Sequence, residues 1–213
     1  MPWAYTAPSA MQLFHYHLVT RKAREVEARY VAKLGFELVA RHGRVGDAPV
    51  SFEPGVSWEE LDARGFRLRL SELERGAVNI VVQPGQWVLP RVDHLGVALD
   101  EDEFAETLER AAARGLRVQE RSGRRTFVTT GAGYRLELHP PRDWIEELLE
   151  QTEELHLAEL HLLADDPEAK ARALADLLDL DTRRDSVEIG ETAVRFLPGG
   201  PAGRPELHAE LFL

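Results

Sequence analysis

The chain of 213 residues contains no cysteine. Without thiols it can form no disulfide and can offer no thiolate nucleophile. Iron–sulfur clusters and cysteine-ligated zinc are excluded for the same reason. Any metal ion must therefore bind to histidine, aspartate or glutamate.

Basic residues are also scarce, and only three of them are lysine. The chain has 26 basic and 37 acidic residues, which gives a net charge of −11. An acidic surface repels phosphate backbones and anionic lipids, so we expect neither nucleic acid nor a membrane as partner. No apolar run approaches the roughly 18 residues of a membrane span. The start, MPWAYTAPSAMQ, lacks the pattern of a signal peptide, so the sequence predicts a cytoplasmic protein.

Several sequence motifs of common enzyme classes are missing as well. The glycine-rich stretches GDAPVSFEPG and LPGGPAGRP contain neither the lysine of a P-loop nor a dinucleotide fingerprint. No Gly-x-Ser-x-Gly elbow of a serine hydrolase occurs. We interpret LPGGPAGRP as a turn that joins two strands.

The stretch FHYHLV carries two histidines two residues apart in a run that reads as a β-strand. Successive strand side chains point to opposite faces, so His15 and His17 share one face. They are either the start of a metal site or two ordinary polar residues on a half-exposed strand.

A pattern of strand, charged turn and amphipathic helix begins at Phe14, at Val92 and at Leu157. The distance from an early strand position to the residue that ends the helix is 20 or 21 residues each time. Gly35 and Gly115 end the first two helices, and Asp179 holds the equivalent place in the third.

Strand-rich sequence follows each helix and ends in GAVNIVVQP, GYRLELHPP or ELHAELFL. The sequence therefore predicts an α+β fold built from three tandem strand–helix–strand–strand–strand modules. We expect module 1 at residues 12–90, module 2 at 91–141, a connecting helix at 142–156 and a third module at 157–213. Module 1 also has an insertion at 47–65, in which Ser57 and Glu60 form a capping-box pattern. Such an insertion either covers a site or elaborates the surface.

The module, with the motifs DHLGVAL, GYRLEL and DDPEAKARALADLLDL, resembles that of the vicinal oxygen chelate superfamily. This superfamily includes glyoxalase, extradiol dioxygenases, fosfomycin-resistance proteins and bleomycin-binding proteins. The resemblance implies that the first two modules pair, with their curved sheets around one cavity. It also implies metal ligands from an early position on the first strand and from a position on the last strand of each module.

Carried onto this sequence, the resemblance gives three metal ligands, His15, His94 and Glu137. The fourth position falls on Ile80, or on Val81 if the register slips by one, and neither side chain can bind metal. Two imidazoles and one carboxylate suit a divalent metal, with Fe(II) or Mn(II) the expected ions, and leave about three coordination positions open. Each of these residues also has an ordinary structural explanation, such as a surface pair of His94 with the preceding aspartate.

Two further histidines share the faces of these ligands. Alternation puts His17 beside His15 and His139 beside Glu137, so we expect both to be catalytic residues, in acid–base chemistry or in binding the substrate. His42, beside the insertion, is a further candidate.

The resemblance to individual members is incomplete. Glyoxalase would need a carboxylate at the fourth position. Extradiol dioxygenases would have an upstream histidine and a tyrosine followed by Asp-Pro, where this chain has Phe127, Thr130 and Gly131. In the third module the ligand positions hold Glu159 and Glu210, while the histidines at 156, 161 and 208 fall elsewhere. We expect this module to pack beside the first pair or to pair with its copy in a homodimer.

These features favour a metal-dependent enzyme that acts on a small-molecule substrate as a dioxygenase, an isomerase or a lyase. One alternative is a metal-free binding protein whose cavity is lined by aromatic residues, namely Trp58, Phe66, Trp87 and Tyr134. The other is a structural protein whose sites have decayed.

Overall fold

The computed structural model describes residues 11–121, 125–151 and 154–213. The N-terminal stretch and residues 152 and 153 of the expected connecting helix lie outside these ranges. The described residues form fourteen strands and five helices. The strands are β1 Gln12–Thr20, β2 Glu37–Val45, β3 Ala48–Phe52, β4 Phe66–Arg75, β5 Val78–Pro84, β6 Arg91–Ala98, β7 Arg117–Arg121, β8 Arg125–Thr129, β9 Arg135–His139, β10 Leu157–Ala164, β11 Thr182–Arg183, β12 Ser186–Ile189, β13 Thr192–Pro198 and β14 Glu206–Phe212.

The helices are α1 Ala23–Leu34, α2 Trp58–Ala63, α3 Glu101–Ala113, α4 Asp143–Leu149 and α5 Pro167–Leu178. Their ends follow the predicted signals. Gly35 and Asp179 adopt the left-handed conformation, with φ values of 70° and 59°, and close α1 and α5. Ser57 and Glu60 form the predicted capping box of α2. None of the helices in the described ranges is long and apolar enough to cross a membrane.

The strands form one large mixed sheet, which confirms the predicted α+β class. In the first predicted module β1 pairs in parallel with β5, followed by β4, β2 and β3. In the second, β6 pairs in parallel with β9, followed by β8 and β7. The two halves join where β1 lies antiparallel to β6, and in this register His17 stands opposite His94.

Alternation along the central strands separates an apolar core from a polar face. Tyr16, Leu95 and Leu136 are fully buried on the core side, where α1, α3 and α5 cover the sheet. The same core continues into the third predicted module through Leu160 and Phe196. The opposite face of β1, β6 and β9 is therefore free to carry polar side chains.

The prediction for the last strand of the third module is wrong. The residues ELHAELF do form a strand, β14, but this strand runs antiparallel to β10. The parallel partner of β10 is β13. The antiparallel pairing of β14 with β10 contains two register shifts, and so does the pairing of β6 with β1. β14 therefore lies beside β10 as β6, the first strand of the second module, lies beside β1. Glu210 is thus not at a last-strand position, and the homodimer stays a prediction.

Candidate metal centre

Three donor atoms from three neighbouring strands meet on the polar face. Nε2 of His15 lies 3.2 Å from Nε2 of His94, which lies 3.0 Å from Oε2 of Glu137. The third distance, from His15 Nε2 to Glu137 Oε2, is 3.8 Å. All three residues are at most 5% exposed. The structure therefore brings together the three residues that the sequence selected as metal ligands.

The sheet register explains how this convergence arises. His15 on β1 and His94 on β6 belong to adjacent antiparallel strands. Glu137 lies on β9, on the other side of β6, in register with Gly96. Because the residues all point to the same face of three consecutive strands, their side chains converge without help from a loop.

His15 is held by a chain of hydrogen bonds that starts at the neighbouring strand. Its Nδ1 lies 2.6 Å from Oδ1 of Asn79 on β5. The amide nitrogen of Asn79 donates to Glu72 and Glu74, which fixes the amide with its oxygen toward the histidine. Nδ1 of His15 must then carry the proton, and the lone pair of Nε2 faces the other two donor atoms.

His94 is oriented in the same way by a carboxylate. Its Nδ1 lies 2.9 Å from Oδ2 of Asp93, which also accepts a hydrogen bond from Arg135. Burial alone would raise the pKa of Asp93, but the hydrogen bonds from His94 and Arg135 outweigh burial and hold the pKa well below its usual range. Asp93 is therefore ionised, and its contact with Nδ1 turns Nε2 of His94 toward the other two donor atoms.

The converging atoms are two imidazole nitrogens and one carboxylate oxygen, all of them groups that bind divalent metals. Burial, with a contribution from neighbouring His94, lowers the pKa of His15 from 6.5 to about 3. Burial would raise the pKa of Glu137, but hydrogen bonds from His139 and His94 hold it well below its usual range. Two imidazole nitrogens and one carboxylate oxygen that are buried and face one another are a donor set that fits a divalent cation.

His17 and His139, the two predicted catalytic residues, both line the same cavity. Nε2 of His17 is buried and has no hydrogen-bond partner in the described part of the chain, and the same is true of Nδ1 of His139. Nε2 of His139 lies 3.4 Å from Oε1 of Glu137. Burial and His94 lower the pKa of His17 to about 3.

His17 also belongs to a second possible ligand set. One nitrogen each of His15, His17 and His94 lie within 4.8 Å of one another. We favour the set that includes Glu137, because its atoms are closer together and because a carboxylate offsets part of the charge of a divalent ion.

The three donor atoms face a cavity of about 480 Å³. Its aromatic lining residues are Phe14, Phe127 and Trp144. The prediction that Trp58, Phe66, Trp87 and Tyr134 line the cavity is therefore wrong. Tyr134 is buried in the core against Phe196, and Trp58, the first residue of α2, packs against Phe66 of β4.

The predicted insertion contributes to the far wall of the cavity through Pro49, Val50 and Ser51 of β3. His42 lines the same wall, where its Nδ1 lies 2.7 Å from Oγ of Ser51. His42 is therefore in the cavity, with a hydrogen-bond partner of its own.

The structure also decides the fourth position that the sequence left between two residues. Ile80 is fully buried in the core, whereas Val81 lines the cavity. The resemblance assigned this fourth ligand position to Ile80, or to Val81 if the register slips by one residue. In the structure it is Val81 that lies on the face of the metal centre. The chain therefore has an apolar side chain where a fourth ligand would be.

Gly96 makes room for the ring of His15. A Cβ atom at this position would lie 2.7 Å from Cβ and 2.9 Å from Cδ2 of His15. Contacts this short force the imidazole to move. We expect Gly96→Ala to weaken Mn(II) binding at least about tenfold, because small displacements of a ligand are costly. Isothermal titration measures this effect.

Val97→Ala is the matched control for this substitution. Val97 is the next residue on β6 and is fully buried on the core side. Its truncation should lower the melting temperature and leave the Mn(II) affinity unchanged. An equal loss of affinity in both variants would contradict a specific role of Gly96.

No protein-family model and no curated protein sequence matches the chain. Solved structures do match. A mutant of 4-hydroxymandelate synthase from Streptomyces coelicolor is 14% identical over 90% of this chain and 63% of its own, with a TM-score of 0.58. The Mn(II)-bound glyoxalase from Novosphingobium aromaticivorans is 11% identical over 94% of this chain and 64% of its own, with a TM-score of 0.56.

A third match is homoprotocatechuate 2,3-dioxygenase from Arthrobacter globiformis, 14% identical over 95% of this chain and 64% of its own, with a TM-score of 0.56. The chain thus spans about two thirds of the length of each of these three proteins. Likeness at such low identity concerns the fold. The chain shares the fold of these three proteins, as the resemblance of its sequence implied.

Proposed function

We propose that the chain is a metal-dependent enzyme that holds a divalent ion with His15, His94 and Glu137. The observation that carries this proposal is the convergence of their three donor atoms, 3.0 to 3.8 Å apart, at the wall of a 480 Å³ cavity. Fe(II) and Mn(II) are the ions that suit this donor set. The Mn(II)-bound glyoxalase with the same fold supports a divalent metal.

The substrate of this enzyme would be a small molecule with two neighbouring oxygen atoms. A divalent metal in this site would act as a Lewis acid toward a substrate that chelates it through those oxygens. The cavity wall would hold the apolar body of the substrate between Phe14, Phe127 and Trp144. Arg69 and Arg125 also line the cavity and would favour a substrate with negative charge.

His17 and His139 would handle the protons of the reaction. His17 is neutral at neutral pH, and its Nε2 atom faces the cavity without a partner among the described residues. It can therefore accept a hydrogen bond, or a proton, from a substrate hydroxyl group. Phe127 packs edge-on against His94 with ring centroids 5.1 Å apart and has no proton to exchange, so these two histidines are the candidates.

Two reaction classes fit this site, and they differ in whether the reaction consumes dioxygen. One is oxidative cleavage of a catechol-like compound, the other isomerisation or elimination through an enolate. The test is to load the chain with Fe(II) or Mn(II) and to assay catechols and enolisable α-hydroxycarbonyl compounds with and without dioxygen. Turnover that needs metal and is lost in Glu137→Gln supports the proposal, and oxygen consumption identifies the dioxygenase.

An opposite outcome would point to one of the alternatives. A chain that binds no metal but changes its fluorescence with a small molecule would be a metal-free binding protein. A chain whose melting temperature responds to neither metal nor chelator would support a structural role. Either result contradicts the proposed enzyme.

A further inference from the structure

The third predicted module reaches the back of the candidate metal centre with one arginine. Nη2 of Arg204 lies 2.5 Å from Oδ1 of Asp93, the carboxylate that orients His94. Asp93 is buried, with a side chain only 9% exposed. Its other oxygen, Oδ2, accepts from His94 and from Arg135. Arg204 is thus the partner of the oxygen that points away from the histidine.

The segment that carries Arg204 is fixed beside β6. The backbone nitrogen of Val92 donates to the carbonyl oxygen of Pro205 at 2.9 Å. The nitrogen of Leu207 donates in return to the carbonyl oxygen of Pro90 at 2.8 Å. These two bonds lie directly after Arg204 in the chain and hold this segment next to the strand that carries Asp93 and His94.

A second contact holds the same loop from the other side. Gly133, in the turn before β9, packs directly on the backbone of Gly203, so closely that a Cβ atom at position 133 would overlap with it. The guanidinium of Arg204 also lies over the ring of Trp87, 5.4 Å from its centroid. The glycine-rich turn LPGGPAGRP therefore joins β13 to β14, as predicted, and also docks on the second module.

A buried carboxylate with a single anchored oxygen can rotate about its Cβ–Cγ bond. Bonds to both oxygens remove this freedom, and they keep Oδ2 aimed at Nδ1 of His94. Arg135 cannot replace Arg204, because it binds the oxygen that His94 also uses. Arg135 lines the cavity, whereas Arg204 is not among the residues that line it and instead contacts Asp93.

We propose that Arg204 is a positioning residue that acts through Asp93 to fix His94 for metal binding, so that the third module is part of the metal centre. The inference rests on the proposed function, because it concerns the same metal ion. The third module would thus help to position a metal ligand, a role that neither the repeated sequence pattern nor the residues lining the cavity indicate.

The experiment measures the Mn(II) dissociation constant of the full chain by titration at a temperature at which every variant is folded. Arg204→Met is expected to raise the constant between 10- and 100-fold, about the range for partners of metal ligands. Arg204→Lys should restore part of the affinity, because a lysine can still bind Oδ1. Arg195→Met is the control, since Arg195 is an arginine of the same module that pairs with Glu159 at the surface.

A double-mutant cycle separates positioning from a general structural role. If Arg204 acts through Asp93, Arg204→Met should cause no further loss of Mn(II) affinity in an Asp93→Asn background. A full further loss there, or unchanged affinity in the single variant, would overturn the inference and leave the proposed function intact. A wild-type chain that binds neither Mn(II) nor Fe(II) would overturn both.

Discussion

His94→Ala and Glu137→Ala are each expected to weaken Mn(II) binding by more than about 100-fold. Each substitution removes one of three donor atoms, and the loss of a ligand should exceed the 10- to 100-fold cost of losing a partner behind a ligand. His94→Ala also leaves the buried Asp93 without its histidine partner. Metal analysis of the purified variants and titration of the metal-free proteins measure the effect.

His42→Ala is the matched control for these two variants. His42 lines the same cavity but hydrogen-bonds to Ser51 and reaches His15 only indirectly, through Glu72 and Asn79, so its removal should weaken Mn(II) binding far less than either substitution. The variant His17→Ala decides between the two possible ligand sets. A large loss of affinity in His17→Ala together with a small loss in Glu137→Ala would contradict the set proposed here and favour the three histidines.

The free energy of unfolding of the metal-free chain is expected to fall steeply as the pH drops below 6.5. The pKa values of His15 and His17 are about 3 in the folded chain and about 6.5 when unfolded. Between these values the unfolded chain binds protons that the folded chain rejects, so acid favours unfolding. Stability that is fully present above pH 6.5 is lost as the pH falls toward 3.

The size of this effect follows from the pKa difference. Each buried histidine contributes a slope of about 1.4 kcal/mol per pH unit, which is about 2 kcal/mol between pH 6.5 and 5. Asp93 and Glu137 have lowered pKa values and change charge only at more acidic pH, so this interval isolates the histidines. Urea unfolding at several pH values is the measurement.

His17→Gln is the comparison that assigns the slope. This variant keeps a polar side chain but has no group that titrates, so it should lose about 2 kcal/mol less than wild type over the same interval. Bound Mn(II) should steepen the loss in the wild type, since protons compete with the metal for His15. Equal pH slopes in wild type and His17→Gln would contradict this prediction, because they would show that the pKa of His17 is the same in the folded and the unfolded chain.

The sequence by itself determined the helices, the strand periodicity and the faces of the three candidate ligands. These features are local, because capping signals, left-handed helix ends and alternation depend on residues close along the chain. The predicted ends of α1 and α5 and the capping box of α2 are confirmed for this reason. Alternation likewise put His17 beside His15 and His139 beside Glu137.

Only the tertiary structure decided which strands are neighbours and which residues stand behind the ligands. The parallel partner of β10 is β13, although β14 has the stronger sequence likeness to a last strand. Asn79 and Arg204 lie 64 and 111 residues away from His15 and Asp93, the residues they hold, beyond any local pattern. The sequence shows that Asp93 precedes His94, which could equally be a pair at the surface. Only the structure shows that Asp93 is buried and orients the ring of His94. Pairing between strands is set by the packing of whole side-chain faces, so it cannot be inferred from one segment at a time.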